Sequence, residues 1–220
     1  MAPDRDIRRP AQLDRPADAA ASFREVRDGL SDAVIAAGPP PVPVLGPPWQ
    51  LRQADPDSGD PALIAEWMSL PHVDRFWDQA WPAGRWAAAL RGQLAGECTR
   101  PCVASYEGIP LAYLELYRTA RDVVGRHYPA HAHDLGVHIA IGPPDDIGRG
   151  HGRALVRAVV AGLFAADRRC ARVLADPDAT HAVARRMFTA AGFSLMQESD
   201  LGHKRAALLV ADRHPVLRST

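Results

Sequence analysis

Apolar positions along the chain change period several times, and each change predicts a new element. Phe23, Val26, Leu30 and Val34 recur at helical spacing between Ala21 and Ala37, and Gly38-Pro39-Pro40-Pro41 stops the run. A helical arm is expected there, followed by an extended proline-rich linker to Pro48. Trp49-Gln50-Leu51-Arg52 opens the folded part as a short strand. Asp60-Pro61 introduces a helix through Trp67 and Met68, with Pro61 in the first turn, where its missing N–H costs least, and Pro71 ends it. A short segment runs from Pro71 to Pro82, and Trp86, Leu90 and Leu94 then mark another helix. Alternation takes over next. Cys102 to Tyr106 and Leu111 to Tyr117 read as antiparallel strands around a Glu107-Gly108 turn. Leu111, Tyr113, Glu115 and Tyr117 fall on one face of the second strand, and Ala112, Leu114 and Leu116 on the other.

A third strand, Leu135 to Ile141, sets Leu135, Val137, Ile139 and Ile141 against Gly136, His138 and Ala140. After Gly150 the positions Leu155, Val156, Val159, Val160, Leu163 and Phe164 form the stripe of an amphipathic helix. Ala171 to Ala175 reads as a strand, residues 179 to 191 as a helix closed by Gly192, and Phe193 to Gln197 and about His203 to Ala211 as the last strands. The order predicts an α+β fold, a central mixed twisted sheet flanked by helices. One domain is expected over 49–211, after a mobile extension at 1–48 and before a tail at 212–220.

Lys plus Arg and Asp plus Glu each number 26, so the chain lacks the positive excess that favours nucleic acid, and any anion site must be local. No apolar run reaches the roughly 18 residues of a membrane span. Residues 1 to 16 are charged and proline-rich and do not resemble a secretory signal, so a cytoplasmic location is expected. Cys98, Cys102 and Cys170 are too few for a disulfide framework and lack a second ligand group for zinc; no metal is expected. Four of the five tryptophans fall between 67 and 86, where core packing is the simpler reading and a substrate wall the other.

The candidate chemistry centres on Arg149-Gly150-His151-Gly152-Arg153-Ala154, between a strand and a helix. Bare glycines allow close approach of the backbone to an anion, the first helical N–H groups lack intrahelical partners, and the helix dipole attracts negative charge. The chain has no Gly-x-x-x-x-Gly-Lys-Ser/Thr loop and no dinucleotide fingerprint around this turn. What the turn does contain is Arg149-x-x-Gly152-x-Ala154, which resembles the acyl-CoA pyrophosphate motif of the GNAT superfamily. Ala190-Ala191-Gly192-Phe193 resembles the segment that closes the next helix in many members.

Within that superfamily the chain resembles the siderophore-biosynthetic branch, which includes mycobactin lysine N-acyltransferases and the acyltransferases of aerobactin and alcaligin assembly. The likeness lies in Ala65 to Met68 through Pro71-His72, Trp77 to Pro82, Tyr113 to Tyr117, and Asp134 to His138 with Asp176-Pro177-Asp178. It implies acylation of the side-chain amine or hydroxylamine of lysine or a similar diamine unit. The donor would be acetyl-, succinyl- or long-chain acyl-CoA, or an acyl carrier protein.

Carried over by position, the family's proposed catalytic pair falls on His138 and Asp176. Independently, His138 stands on a strand between small residues and its ordinary pKa suits proton removal; a histidine satisfied in the core is the alternative. Asp176 can orient the imidazole or cap the following turn. Donor contacts are expected from Arg149, Gly150, His151, Gly152, Arg153 and Ala154, from the backbone of Val137 and Ile139, and from His181, which stands where many relatives carry Asn. Acceptor contacts are expected from Glu115, His72, Trp77 and Trp81. Two further readings stay open: an aminoglycoside 6'-N-acetyltransferase, and a non-catalytic acyl-CoA-binding module.

Overall fold

The structure, a computed structural model, describes residues 25–146 and 148–213. Seven strands form one sheet: β1 (Trp49–Gln53), β2 (Thr99–Tyr106), β3 (Ile109–Arg118), β4 (Leu135–Ile141), β5 (Arg172–Ala175), β6 (Ser194–Asp200) and β7 (Arg205–Asp212). Their order is β1-β2-β3-β4-β5-β7-β6, antiparallel at every step except β4 to β5. The parallel step needs a crossover, supplied by the helix that follows the glycine-rich turn. The expected α+β class and mixed sheet are both observed.

Described helices are α1 (Asp32–Ala37), α2 (Asp60–Met68), α3 (Pro71–Trp77), α4 (Ala83–Ala95), α5 (His151–Ala166) and α6 (Ala182–Ala190). Pro71 both ends the region of α2 and occupies the first turn of α3, so the segment expected only as a connection is itself helical. The hairpin turn is as expected, with Glu107 and Gly108 both at positive φ.

The strand period sorts side chains between two cores. Leu114, Leu116 and Val137 pack with Leu155, Val156, Val159 and Leu163 of α5 on one face of the sheet. Tyr113 and Ala140 pack with Ile64, Trp67, Trp86 and Leu90 from α2 and α4 on the other. Register places Glu115 of β3 opposite His138 of β4, on the face that carries Tyr113 and Ala140.

The extension differs from expectation from Glu25 onward; Phe23 and the rest of 1–24 lie outside the described residues, as does 214–220 of the tail. Only Asp32–Ala37 is helical, because Gly29 has a positive φ and Ser31 caps the helix with its Oγ toward the Val34 N–H. Rather than hanging free, the segment is tied to the domain. The Arg118 guanidinium, almost fully buried, donates to the carbonyls of Ala37 at 3.1 Å and Gly38 at 3.1 Å, and pairs with Asp167 at 2.8 Å. Pro43 and Leu45 lie against Gly162 of α5, where a Cβ would sit 2.8 Å from the Pro43 Cβ.

Candidate active site

The glycine-rich turn leads directly into α5. Gly150, at φ 87°, is the N-cap of α5 and contributes no side-chain cap, so the first amides of the helix stay open to an outside acceptor. Arg149 and Arg153 flank it. Gly152 has a packing reason as well: a Cβ there would stand 2.8 Å from Met187 Sδ of α6. The His151 ring is placed away from the open amides. It stacks on Tyr106 with centroids 4.7 Å apart, near Trp49, and its Nδ1 is 3.2 Å from Asp146 Oδ1. The ring packs inward, which leaves the backbone of His151 as the part that the turn presents.

Beside the turn, β4 and β5 part. They pair at only two positions, Leu135 with Val173 and Gly136 with Leu174, while β4 continues to Ile141. The backbone of Val137 to Ile141 is thereby left without a β5 partner, a splay that no local pattern in the sequence encodes. Val137, Ile139 and His181 all line the cavity of about 480 Å³ that opens here.

His181 caps α6, its Nδ1 accepting the Ala184 N–H at 3.4 Å, and stacks face to face on Phe76 of α3 with centroids 3.6 Å apart. Burial lowers its pKa, so the ring is neutral at pH 7 and, with Nδ1 as acceptor, carries its proton on Nε2.

His138 lies at the cavity wall between two carboxylates. Its Nδ1 is 3.0 Å from Glu115 Oε2 and its Nε2 is 2.8 Å from Asp176 Oδ1. Each carboxylate is held in turn. Gln93 Nε2 donates to Glu115 Oε1 at 2.7 Å, and the Tyr113 hydroxyl lies 3.1 Å from the same oxygen. Burial pushes the Tyr113 hydroxyl well above its ordinary pKa, so it remains a donor. Tyr117 donates to Asp176 Oδ1 at 2.6 Å, and Lys204 Nζ lies 3.0 Å from Oδ2 and donates to the Asp176 carbonyl at 2.6 Å. Asp176 thus has a fully buried carboxylate with two donors, Tyr117 and Lys204, and the His138 ring around it, rather than a turn-capping role.

Several sequence expectations change here. Glu115, an expected acceptor contact, lines the cavity, and its carboxylate is engaged by His138, Gln93 and Tyr113. Beside His138, the small residue Gly136 is covered by the Tyr117 ring, which stacks on the imidazole with centroids 4.6 Å apart; a Cβ on Gly136 would fall 2.1 Å from Tyr117 Cζ. His72 does not line the cavity: its Nε2 is 3.1 Å from the Ile141 carbonyl, tying α3 to the end of β4. Trp77 and Trp81 do line it, whereas Trp67 and Trp86 are core residues, the latter also reaching the cavity. Gln93, Tyr117 and Lys204 were not anticipated. Tyr117 had a legible signal, sharing a strand face with Glu115. Lys204 had none, since it reaches Asp176 from the loop before β7.

The cysteines are buried, and burial pushes the thiols of Cys102 and Cys170 up to about 12, which keeps them protonated. Among the described residues no helix is long and apolar enough to cross a membrane.

Residues 57–201 match the family model described as acetyltransferase (GNAT) domain. A lysine N-acyltransferase from Mycobacterium sp. (strain MCS) is 41% identical over 186 residues, 84% of this chain and 76% of that protein. An N(6)-hydroxylysine O-acetyltransferase from Escherichia coli is 31% identical over 164 residues, 74% of this chain and 52% of that protein. The crystal structure of aminoglycoside acetyltransferase AAC(6')-Ib in complex with coenzyme A superposes with a TM-score of 0.66 at 23% identity, over 75% of this chain and 95% of that one, a likeness of fold. With the family model matched over residues 57–201, the chain belongs to the GNAT acetyltransferase family.

Proposed function

We propose that this chain transfers an acyl group from acyl-CoA to the side-chain amine, or N-hydroxylated amine, of lysine or a similar diamine unit during assembly of a hydroxamate siderophore. The observation that carries the reading is the His138–Asp176 contact, placed in the same cavity as the unpaired edge of β4. Relatives named for acylation of lysine and N(6)-hydroxylysine support it.

In this reading the CoA pyrophosphate rests on the first amides of α5 with Arg149 and Arg153 alongside, and the pantetheine arm runs in the gap between β4 and β5. Unpaired β4 amides then face the thioester carbonyl and stabilise the oxyanion as the amine attacks. The Nε2–H of His181 is available to the same arm. As the C–N bond forms, the nitrogen loses a proton and the CoA thiolate leaves. Glu115, His138 and Asp176 take up that proton as one titrating unit, since both ring nitrogens face carboxylate oxygens and a neutral imidazole has only one N–H to give. Tyr117 and Lys204 fix Asp176, and Gln93 and Tyr113 fix Glu115, so the ring is held while protons move.

The cavity wall favours an acyl tail over a polycationic sugar. Phe76, Trp77 and Trp81 face Ala88, Ala89 and Gly92 of α4, whose small side chains leave room beside the aromatic rings. Five carboxylates line the cavity among the described residues, and Glu115, Asp122, Asp176 and Asp178 are each engaged by groups of the protein rather than presented to cationic amines. The test is a thiol-release assay that crosses acetyl-, succinyl- and long-chain acyl-CoA with lysine, N6-hydroxylysine, N5-hydroxyornithine and kanamycin. Turnover of a long-chain donor with lysine or N6-hydroxylysine is expected; preference for kanamycin would overturn the assignment.

A further inference from the structure

The cavity is not closed by the acyltransferase domain alone. Glu25 and Arg27, well ahead of the matched span 57–201, form part of its wall. They are anchored at its rim by the backbone: Glu25 makes an antiparallel bridge with Asp122, and the Val26 N–H donates to the Arg121 carbonyl at 2.8 Å. Cys98 Sγ donates to that same carbonyl at 3.3 Å, which joins the bridge to the chain entering β2. Arg27 Nε and Nη2 both donate to Glu25 Oε2, at 3.0 and 2.9 Å. The Glu25 side chain is turned inward at 16% exposure, whereas Arg27 is 70% exposed at the mouth.

An ion pair on the wall of an amine-acceptor cavity matches one chemical feature of an amino acid. The α-carbon of lysine bears an ammonium and a carboxylate side by side, at the far end of the methylene stem from the reacting amine. We propose that Glu25 and Arg27 form a zwitterion clamp for the acceptor, Glu25 taking the α-ammonium and Arg27 the α-carboxylate, with the side-chain amine reaching His138. This rests on the amine-acyltransferase reading above and adds to it that the acceptor is an amino acid with both α-groups free. Exchange of partners is inexpensive, because the Arg27 end of the pair stands in solvent, where an ion pair is only weakly stabilising. The new contacts are charge-assisted and Arg meets the carboxylate as a fork. Specificity for the acceptor is then carried by a segment outside the catalytic domain, which leaves the domain free to accept other amines in other chains.

The experiment uses the full chain and three acceptors sharing the same terminal amine: lysine, cadaverine, which lacks the carboxylate, and 6-aminohexanoate, which lacks the α-ammonium. Arg27→Gln is expected to raise the KM for lysine on the order of tenfold or more, leave kcat nearly unchanged, and leave cadaverine turnover as in the wild type. Glu25→Gln is expected to remove the advantage of lysine over 6-aminohexanoate. Circular dichroism and acyl-CoA affinity equal to wild type confirm that both variants are folded. If wild type acylates lysine and cadaverine equally well, or if Arg27→Gln weakens both alike, the clamp is wrong while the acyltransferase reading stands. If wild type acylates no amine with any acyl-CoA, both fall.

Discussion

The Nε2 of His138 lies 2.8 Å from Oδ1 of Asp176, a carboxylate with no exposure to solvent, and the two come from strand β4 and from the chain just beyond β5. They meet where those two strands part. In the proposed reaction the gap that would take the donor therefore lies beside the group that would accept the proton.

Gly136 is where the ring stack is most sensitive. A Cβ there would overlap the Tyr117 ring, which is fully buried and has no exit. Gly136→Ala is expected to destabilise the protein by about 1–3 kcal/mol or more and to lower acyl transfer. In a Tyr117→Leu background the added methyl should cost less, a coupling readable by urea denaturation of the double-mutant cycle. Equal costs in both backgrounds would mean the ring is not what the methyl meets.

Tyr117→Phe removes only the hydroxyl that donates to Asp176 Oδ1. The ring and its stacking on His138 survive, so the fold and acyl-CoA affinity should hold while kcat falls, on the order of tenfold. Steady-state kinetics with both substrates varied will separate this from a binding defect.

At the donor turn, Arg149→Ala is expected to raise the KM for acyl-CoA about tenfold and leave the acceptor KM unaltered, since it removes one charge-assisted contact to phosphate. Gly152→Ala acts differently. It crowds Met187, so it should loosen the packing of α5 on α6 and lower the melting temperature as well as donor affinity. Calorimetry of donor binding beside a thermal melt distinguishes the two.

Asp60 gives a prediction in pH. Arg52 donates to both its oxygens, at 2.5 and 2.7 Å, and the Asp55 N–H donates at 2.8 Å, which holds the Asp60 carboxyl below its ordinary range, chiefly through the Arg52 hydrogen bonds. A carboxyl depressed in the folded state stabilises at pH values above its unfolded pKa, near 4, and that contribution is lost as pH falls through the folded value. Asp60→Asn should cost about 1–2 kcal/mol at pH 7, kept modest because the Arg52 side chain is half in solvent, and the gap to wild type should begin to narrow below about pH 4 and close only below the depressed folded value. Urea unfolding at pH 7 and pH 3.5 measures it.

How far the site was legible depends on range along the chain. A strand has only two faces, so alternation alone puts Tyr113, Glu115 and Tyr117 together, and His138 with Gly136 and Ala140. The glycine-rich turn is likewise local, and its place between a strand and a helix is readable. What alternation cannot supply is register, and it is register that sets Glu115 against His138. Gly136 reads as empty space until the Tyr117 ring is known to fill it. His151, in the motif itself, turns its ring inward because Tyr106 across the sheet offers a flat surface. Lys204 and the Arg118 contacts to residues 37–39 join parts of the chain far apart in sequence, and neither has a periodic signature.

The most direct test is single-turnover acyl transfer by His138→Ala at saturating acyl-CoA and amine, with acyl-CoA affinity measured on the same preparation. The account predicts that the rate falls on the order of 10²–10⁴-fold while affinity for the donor stays within a few fold of wild type. A variant that binds acyl-CoA normally and transfers at the wild-type rate would contradict it.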